Sequence, residues 1–317
     1  MAAGFIFPGQ GSQSVGMGKS LAEAFAPARE VFAEVDAALS QKLTKIIWEG
    51  PAEDLTLTEN AQPALMAMSL AAMRVLQAEA GVDLARDAKL VAGHSLGEYS
   101  ALAAAGALSI GETARLVQLR GRAMQQSVPV GIGAMAALIG LELDQAVSVA
   151  AQASQGEVCQ AANDNGGGQV VVSGHRAAVE RAVEIARNAG ARRATMLSVS
   201  APFHCALMQP AADVMSAALA EVSIKPPVVP VVANVSAKPL TDPAEIALAL
   251  IAQVTGTVRW RESVGLMASA GVARFYEIGA GKVLSGLVRR IAPGVQATSV
   301  ATPEEVGSFK AGWLRAE

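Results

Sequence analysis

Cysteine and histidine are scarce in this sequence, which has two cysteines and three histidines among 317 residues. Cys159 and Cys205 are too few for a disulfide framework, and such low cysteine content is typical of proteins in a reducing compartment. The thiol and imidazole side chains are also scattered along the chain, so no group of them has the spacing of metal ligands. We therefore expect no structural disulfide and no bound metal.

Charged residues and long apolar runs are also in short supply. Only 17% of residues are charged, against 52% hydrophobic, which predicts a large buried core and little disorder. The net charge of −3 argues against nucleic acid as a main partner. Every apolar run is interrupted before it could span a bilayer, and the first residues lack the basic start of a signal peptide. We expect a cytoplasmic protein that has no membrane partner.

What the sequence does contain is a repeated order of short apolar strand, glycine-containing loop and helix. This order predicts an α/β fold in which helices cover both faces of a parallel sheet. The predicted strands lie at 4–7, 90–92, 228–233, 274–277 and 298–300. The predicted helices lie at 20–40, 63–79, 98–108, 109–126, from Met208 onward, 243–253 and 283–291, with Pro63 in a first turn and Ser109 and Glu112 in a capping box.

The middle of the chain follows a different order, β-α-β-β-α-β. Its predicted strands lie at 134–139, 158–162, 170–173 and 193–197, and its helices at 143–153 and 177–189. This is the order of a ferredoxin-like split unit. We therefore predict a small α+β subdomain at residues 128–198, inserted into a large hydrolase-like subdomain formed by residues 1–127 and 199–317.

The most informative segment is Gly93-His94-Ser95-Leu96-Gly97, between a predicted strand and a predicted helix. A serine between two glycines at such a turn has the sequence form of a nucleophile elbow, since the strained turn leaves no room for β-carbons beside it. A serine hydroxyl needs a base, and histidine suits that task near neutral pH. His94 adjoins Ser95 and should point away from it, whereas His175 lies at a strand end inside the predicted insert. His204 lies where the chain returns from the insert, and the residues alone leave open whether it is the base or a buried polar group.

Polar residues beside apolar runs supply the other candidates. The glycines around Gln10 would let backbone amides approach a ligand, as an oxyanion hole or a dinucleotide loop requires; Ser14 in place of a third glycine favours the oxyanion hole. Arg120 lies among apolar residues and needs an anionic partner, which an internal ion pair could equally supply. Gln253 and Asn163 also adjoin apolar runs, where most amides only satisfy nearby backbone groups.

Taken together, these segments resemble the malonyl-CoA:acyl carrier protein transacylase family. The resemblance covers nearly the whole chain, through FPGQGSQ at 7–13, AQPA at 61–64, GHSLGE at 93–98, RG at 120–121, VSG at 172–174, FH at 203–204, Gln253 with VRW at 258–260, and EIG at 277–279 with GKVL at 281–284. It implies Ser95 as nucleophile, His204 as general base and the Gln253 carbonyl as its orienting acceptor. It also implies an oxyanion hole from the amides of Gln10 and Leu96, a malonyl carboxylate bound to Arg120, and substrate contacts from Asn163, Gln62 and Phe203.

The resemblance further implies transfer of a malonyl group from malonyl-CoA, through a malonyl-serine ester, to the phosphopantetheine thiol of acyl carrier protein in fatty acid elongation. It implies a monomer without cofactor, and Leu96 and Phe203 favour malonyl over methylmalonyl. A basic docking patch for the acidic carrier protein is expected among Arg192, Arg193, Lys282, Arg289 and Arg290. Two departures from the family pattern are the glycines at 166–168 and Ala280.

Three other functions stay open at this stage. A discrete acyltransferase of polyketide synthesis would share the same site. A serine esterase or thioesterase would need an acid between Ser95 and His204 in chain order, where Asp144 and Asp164 both fall in the predicted insert. A nucleotide-binding module would use the loop that contains Gly9 and Gly11.

Overall fold

Two β-sheets of different kinds organise the chain in a computed structural model that describes residues 3–313. Met1, Ala2 and residues 314–317 lie outside the described part. The strands are β1 (Ala3–Phe7), β2 (Ala88–Gly93), β3 (Gly133–Ile139), β4 (Cys159–Asp164), β5 (Gln169–His175), β6 (Arg193–Met196), β7 (Val231–Val232), β8 (Pro239–Leu240), β9 (Arg274–Ile278) and β10 (Gln296–Val300).

Helices surround both sheets. They are α1 (Lys19–Ala24), α2 (Ala26–Leu39), α3 (Leu43–Glu49), α4 (Ala52–Thr56), α5 (Thr58–Ala80), α6 (Leu84–Asp87), α7 (Gly97–Ala104), α8 (Ile110–Gln126), α9 (Leu143–Ser154), α10 (Arg176–Asn188), α11 (Gln209–Ala220), α12 (Pro243–Thr255), α13 (Trp260–Ser269), α14 (Val283–Ile291) and α15 (Pro303–Trp313). No helix within residues 3–313 combines the length and the hydropathy that crossing a bilayer requires.

The large sheet has the order β10-β9-β1-β2-β7-β8. Its strands pair in parallel from β10 to β7, and β8 adds a short antiparallel edge. All five residues of β1 are buried, as expected for a central parallel strand with helices on both faces. The predicted α/β class is therefore confirmed. The predicted strand at 228–233 was too long, because Pro230 has no N–H for a sheet hydrogen bond and only Val231 and Val232 pair.

The small sheet has the order β4-β5-β3-β6, and all its neighbouring strands are antiparallel. Helices α9 and α10 pack on it around a separate apolar cluster that includes Leu138, Val149, Val172 and Val179. The predicted β-α-β-β-α-β order is confirmed. The boundaries at 128 and 198 stay a prediction.

Proline explains where two predicted helix boundaries were wrong. The helix predicted at 20–40 is two helices, α1 and α2, separated by the extended Phe25, because Pro27 cannot continue the hydrogen bonding of α1. The helix predicted to begin at Pro63 begins five residues earlier, at Thr58. Pro63 lies inside α5, where its missing N–H leaves the Glu59 carbonyl without its usual helical donor.

Helix α5 forms the centre of the large core. It packs against α2, α7 and α8, and residues on every side of it are buried. Helix α8, which carries Arg120, is thereby held against the end of the elbow helix α7. The carboxyl end of β2 and the strands β4 and β5 then border one cleft, which contains the candidate site.

Candidate active site

Ser95 lies at a strained turn between β2 and α7. Its φ of 53° is in the left-handed region, which non-glycine residues seldom occupy. A β-carbon on Gly93 would lie 1.8 Å from the Gly97 carbonyl oxygen, and one on Gly97 would lie 2.3 Å from the Phe7 carbonyl oxygen. Only glycine fits at these two positions. The geometry is that of a nucleophile elbow, with the serine hydroxyl held out of the backbone.

Asn234 fixes this turn from the turn that follows the neighbouring strand, β7. Its side-chain Oδ1 accepts a hydrogen bond from the Ser95 amide at 2.7 Å, and its Nδ2 donates to the Gly93 carbonyl at 2.7 Å. Sequence reasoning missed this residue. The available signal was a polar side chain directly after a predicted parallel strand, at the sheet edge where ligand sites form.

His204 is the histidine that reaches Ser95. Its Nε2 lies 2.7 Å from Ser95 Oγ, and its Nδ1 lies 2.9 Å from the Gln253 backbone carbonyl. Because that carbonyl can only accept, Nδ1 carries the proton and Nε2 is free to accept one. Burial, followed by the charge of Arg120, lowers the pKa of His204 to about 3. The imidazole is therefore neutral near pH 7, which is the form that a general base requires.

The other two histidines have different partners. His94 Nε2 lies 2.9 Å from Asn165 Oδ1, and the His94 ring packs edge-on against Trp260. His175 Nδ1 accepts from the Val158 amide at 2.9 Å, within the small sheet. Both positions agree with the sequence interpretation, in which His94 points away from Ser95 and His175 has a role at a strand end.

Arg120 is a buried cation aimed at Ser95. Its side chain is 1% exposed, and its Nη2 donates to Ser95 Oγ at 3.2 Å. Nη1 donates to Gln62 Oε1, and Nη2 also donates to Gln253 Oε1, each at 2.8 Å. Along residues 3–313 no carboxylate lies within ion-pair distance of Arg120. The guanidinium is thus held by neutral amides beside the serine, and the internal ion pair considered from sequence is absent.

Gln253 has a larger part in this arrangement than the resemblance implied. Besides its backbone carbonyl on His204, its side-chain Nε2 donates to the Ser95 carbonyl at 3.0 Å and to Glu98 Oε2 at 2.8 Å. Glu98 Oε2 also accepts from the Asn234 amide at 3.0 Å. Burial raises the pKa of Glu98 to about 7. Sequence reasoning treated Glu98 only as the start of a helix and so missed this contact.

A cleft of about 290 Å³ opens beside these groups. Several of the predicted site residues line it together: Gln10, Gln62, Ser95, Arg120, Asn163, Phe203 and His204. Gln10 Nε2 reaches Thr58 Oγ1 at 3.4 Å. Within the described part of the chain, the backbone amides of Gln10 and Leu96 make no hydrogen bond. Two free amides beside an activated serine are the donors that an oxyanion requires.

The alternatives weighed from sequence fit the geometry less well. The acceptor behind His204 is a carbonyl and not a carboxylate, while Asp164 pairs with Arg261 at 2.8 Å. Asp144 is exposed on α9. After the loop with Gly9 and Gly11, the next helix begins only at Lys19, so no helix N-terminus directly follows the glycines as in a dinucleotide fold.

The two departures from the family pattern are structurally compatible with this site. Gly166, Gly167 and Gly168 have φ values of 76°, 61° and 70°, a left-handed turn that favours glycine. Ala280 is buried near the start of α14.

Across residues 3–313, no three His, Cys, Asp or Glu side chains are arranged to hold a metal ion.

Comparison with known proteins agrees with this geometry. Residues 4–310 match the family model of the acyl transferase domain. A malonyl CoA-acyl carrier protein transacylase of Salmonella typhimurium is 46% identical over 94% of this chain and 96% of its own. The crystal structure of an acyl-carrier-protein S-malonyltransferase from Bartonella henselae is 55% identical and covers 99% of each chain, with a TM-score of 0.96. A malonyl-transacylase in complex with a type II PKS acyl-carrier protein is 41% identical over 98% of this chain and 100% of its own, with a TM-score of 0.95.

These similarities extend over nearly the full length of the chain and of its relatives. They include the sheets, the elbow and the segments that carry Arg120, His204 and Gln253. The chain therefore belongs to the malonyl CoA-acyl carrier protein transacylase family and has an acyl transferase domain.

Proposed function

We propose that this protein transfers the malonyl group of malonyl-CoA to the phosphopantetheine thiol of an acyl carrier protein, through a malonyl ester of Ser95. One observation carries the proposal: Ser95 Oγ lies 2.7 Å from a neutral imidazole and 3.2 Å from a buried guanidinium that pairs with no carboxylate within residues 3–313. The first contact suits acyl transfer, and the second suits an acyl group that ends in a carboxylate. The names of the relatives support the same substrate and acceptor.

In the first half-reaction, His204 Nε2 takes the proton of Ser95 Oγ as the oxygen attacks the thioester carbonyl. The negative charge that forms on that carbonyl oxygen accepts hydrogen bonds from the amides of Gln10 and Leu96. Losing one such donor typically costs about 3 kcal/mol of transition-state stabilisation. Collapse of the intermediate breaks the carbon–sulfur bond, and the imidazolium returns the proton to the CoA thiolate.

Arg120 is the group that we assign to the malonyl carboxylate. A guanidinium can bind a carboxylate through two parallel hydrogen bonds, which an ammonium cannot reproduce. Gln62 and Gln253 already orient the guanidinium, so the carboxylate would find it in place. Asn163 and Phe203 are assigned to the walls around the acyl group. Leu96 and Phe203 favour malonyl over methylmalonyl. The difference in transition-state free energy should be about 1–3 kcal/mol, which is typical for discrimination of one extra methyl group in a pocket.

In the second half-reaction the same steps run in reverse order with a different thiol. His204 takes the proton of the phosphopantetheine thiol, the sulfur attacks the malonyl-Ser95 carbonyl, and Ser95 leaves with the proton from the imidazolium. Exchange of one thioester for another through a serine ester balances without any redox or metal chemistry. We accordingly propose that no cofactor takes part.

We further propose that the carrier protein docks at exposed arginines near the 166–168 loop, next to the cleft. A β-carbon on Gly167 would lie 3.4 Å from Arg290, and one on Gly140 would lie 3.0 Å from Arg192, which places both arginines beside the 166–168 loop. Asn165 and Gln169 flank that loop and line the cleft. Lys282 is less suitable because it pairs with Glu305 at 2.8 Å. Transfer that does not slow with added salt would count against this patch.

A monomeric state and a cytoplasmic location stay part of the proposal.

The decisive experiment is intact-mass analysis of the protein and of a holo acyl carrier protein after malonyl-CoA is added. The wild type should gain one malonyl group, lose it to the carrier protein, and release little malonate. The Ser95→Ala variant should gain none. Rapid release of malonate without transfer would instead indicate a hydrolase, and binding of NAD or ATP without acylation would indicate a nucleotide-binding module. Parallel assays with fatty acid and polyketide carrier proteins distinguish the two possible acceptors.

A further inference from the structure

The acceptor behind His204 is unusual for a serine–histidine site because it carries no charge. In a Ser-His-Asp triad, a buried carboxylate orients the imidazole and stabilises the imidazolium that forms during attack. Here the imidazolium would form beside Arg120, so two cations would share a buried site in which the malonyl carboxylate pairs with only one of them. The neutral carbonyl of Gln253 can orient the ring but cannot offset this charge.

A carboxylate does lie beyond Gln253, because it is hydrogen-bonded to the side chain of that residue. Glu98 is 2% exposed, and its Oε2 accepts from the side-chain Nε2 of Gln253 at 2.8 Å. The connection therefore runs from Ser95 to His204, from His204 to the Gln253 backbone, and from the Gln253 side chain to Glu98. Glu98 is also in the first turn of α7, where the helix dipole favours a negative charge.

Glu98 is coupled to the rest of the elbow as well. Its Oε2 accepts a hydrogen bond from the backbone amide of Asn234. The Asn234 side chain in turn accepts from the Ser95 amide and donates to the Gly93 carbonyl. Fixing the Gln253 amide also fixes its Oε1, which accepts from Arg120. One buried carboxylate thus touches the supports of the nucleophile, the base and the carboxylate-binding cation.

We propose that Glu98 is a positioning residue that supplies, through Gln253, the negative charge of the missing triad acid. The inference rests on the proposed acyl transfer at Ser95. While proton transfer takes place, the malonyl carboxylate pairs with Arg120, and the ionised Glu98 supplies the second negative charge that the imidazolium requires. The titratable groups that face it are Arg120 from α8 and Tyr99 from its own helix.

The titration of Glu98 makes the role measurable. Burial raises its pKa to about 7, although hydrogen bonds from Gln253 and Asn234 and the charge of Arg120 act in the opposite direction. The pKa of His204 lies far lower, at about 3. An increase in the acylation rate as the pH rises through about 7 would therefore belong to Glu98 and not to His204.

Glu98→Gln separates the charge from the hydrogen bonds. Both donors bind the same oxygen, Oε2, so the carbonyl oxygen of a glutamine can accept both while the side chain stays neutral. A purely structural role for Glu98 should therefore survive this substitution. Glu98→Asp retains the charge on a shorter side chain, and Glu221→Gln removes an exposed charge at the end of α11 as a matched control.

The experiment measures the rate of Ser95 acylation by saturating malonyl-CoA as a function of pH, by quenched-flow mass analysis. We expect Glu98→Gln to be acylated about tenfold more slowly than wild type above about pH 8. A tenfold change in rate corresponds to the same free energy as a shift of one pKa unit. We expect the rates of wild type and Glu98→Gln to converge below about pH 6. The increase in acylation rate near pH 7 should be absent from Glu98→Gln. It should persist in Glu98→Asp and in Glu221→Gln. Equal rates for Glu98→Gln and wild type at every pH would overturn the inference. A wild type that is not acylated at all would overturn the proposed function instead.

Discussion

Arg120 is a buried cation whose hydrogen-bond partners within residues 3–313 are all neutral oxygens. A buried charge is costly, and neither the dipolar amides nor Glu98, which acts on Arg120 without direct contact, holds the guanidinium in an ion pair. Its Nε has no partner in the described part of the chain. A site that keeps such a group beside a nucleophile is prepared for an anion, and a short dicarboxylic half-thioester supplies one at the correct end of the acyl chain.

The Arg120→Ala substitution should therefore change selectivity as well as rate. We expect acylation by malonyl-CoA to fall about a hundredfold, consistent with about 3 kcal/mol for losing one partner of a buried charged hydrogen-bonded pair. Acylation by acetyl-CoA should fall much less, because acetyl has no carboxylate for the lost guanidinium. Competition between the two thioesters, read by intact mass, measures the ratio.

Arg122→Ala is the control for this substitution. Arg122 is two residues further along α8, is exposed, and pairs with Glu59 at the surface. Removing it should leave the malonyl-to-acetyl ratio unchanged. An unchanged ratio in Arg120→Ala as well would show that Arg120 does not recognise the carboxylate.

The residues that sequence analysis found and missed differ in a physical way. Ser95 was predictable because its chemistry depends on neighbours in the chain, the flanking glycines and the following helix. Glu98 and Asn234 act through contacts with residues 136 to 155 positions away in sequence, such as Glu98 with Asn234 and Glu98 with Gln253. The buried carboxylate leaves no local pattern, and the position of Asn234 after a predicted strand indicates the sheet edge but not its partners, so both roles depend on the fold.

At the level of elements, the elbow is a close crossing of three backbone segments. The Gly97 segment runs against Phe7 and Pro8 at the end of β1, and Gly93 faces the Gly97 carbonyl. Hydrogen bonds from His94 N to Phe7 O and from Gly97 N to His94 O tie these segments together. The close approach places the Gln10 loop beside Ser95, so the glycines affect both the strain at Ser95 and the position of the Gln10 amide.

A substitution at Gly93 should consequently destabilise the whole sheet edge. A β-carbon there would meet backbone atoms at 1.8–2.4 Å, which no side-chain rotation relieves. We expect Gly93→Ala to lower the free energy of unfolding by about 3 kcal/mol or more, in the range of severe overpacking. Urea denaturation followed by circular dichroism measures this.

Gly265→Ala provides the comparison. Gly265 lies within α13, and a β-carbon there would have no heavy atom within 4 Å. We expect this variant to gain up to about 1 kcal/mol, because alanine is the better helix former. If both variants lost the same stability, the crowding at the elbow would not be the cause.

Periodicity predicted most elements because burial on one face dictates it, as in α8 and α10. Three errors were at prolines 27, 63 and 230, where the effect of a missing N–H depends on its surroundings. The helix predicted at 98–108 was also too long, because α7 ends at Ala104. Pro63 is tolerated inside α5, whereas Pro27 separates α1 from α2. That distinction depends on tertiary surroundings, which no local pattern contains.

On the scale of the whole molecule, the site joins parts of the chain that have separate cores. The elbow belongs to the large sheet, whereas Asn163 and Val171 reach the cleft from β4 and β5 of the small sheet. Hydrogen bonds between Asp164 N and Val258 O and between Val258 N and Ala162 O connect the two regions. Stability and site geometry are therefore linked, and a charge buried beside the site should affect the unfolding of the whole protein.

Glu98 allows that link to be tested through pH. Its pKa rises from an ordinary 4.5 to about 7 in the folded protein, because burial disfavours the charged form. Below about pH 4.5 the carboxyl is protonated in both the folded and unfolded states and destabilises neither. Between about pH 4.5 and 7 the folded state retains a proton that the unfolded state has released, so stability falls as pH rises. Above about pH 7 the loss is complete.

The Glu98→Gln variant should escape this loss, because glutamine does not titrate. Its free energy of unfolding should match that of the wild type at about pH 4.5, exceed it increasingly up to about pH 7, and remain higher by up to about 3 kcal/mol beyond. Urea titrations at a series of pH values measure the difference, with Glu221→Gln expected to follow the wild type throughout. A Glu98→Gln variant that is more stable yet acylates more slowly at pH 8 would show that the buried charge is retained for the reaction at the expense of the fold. A constant stability difference across this pH range would mean that Glu98 titrates normally, and the compensation of Arg120 and His204 would then need another source.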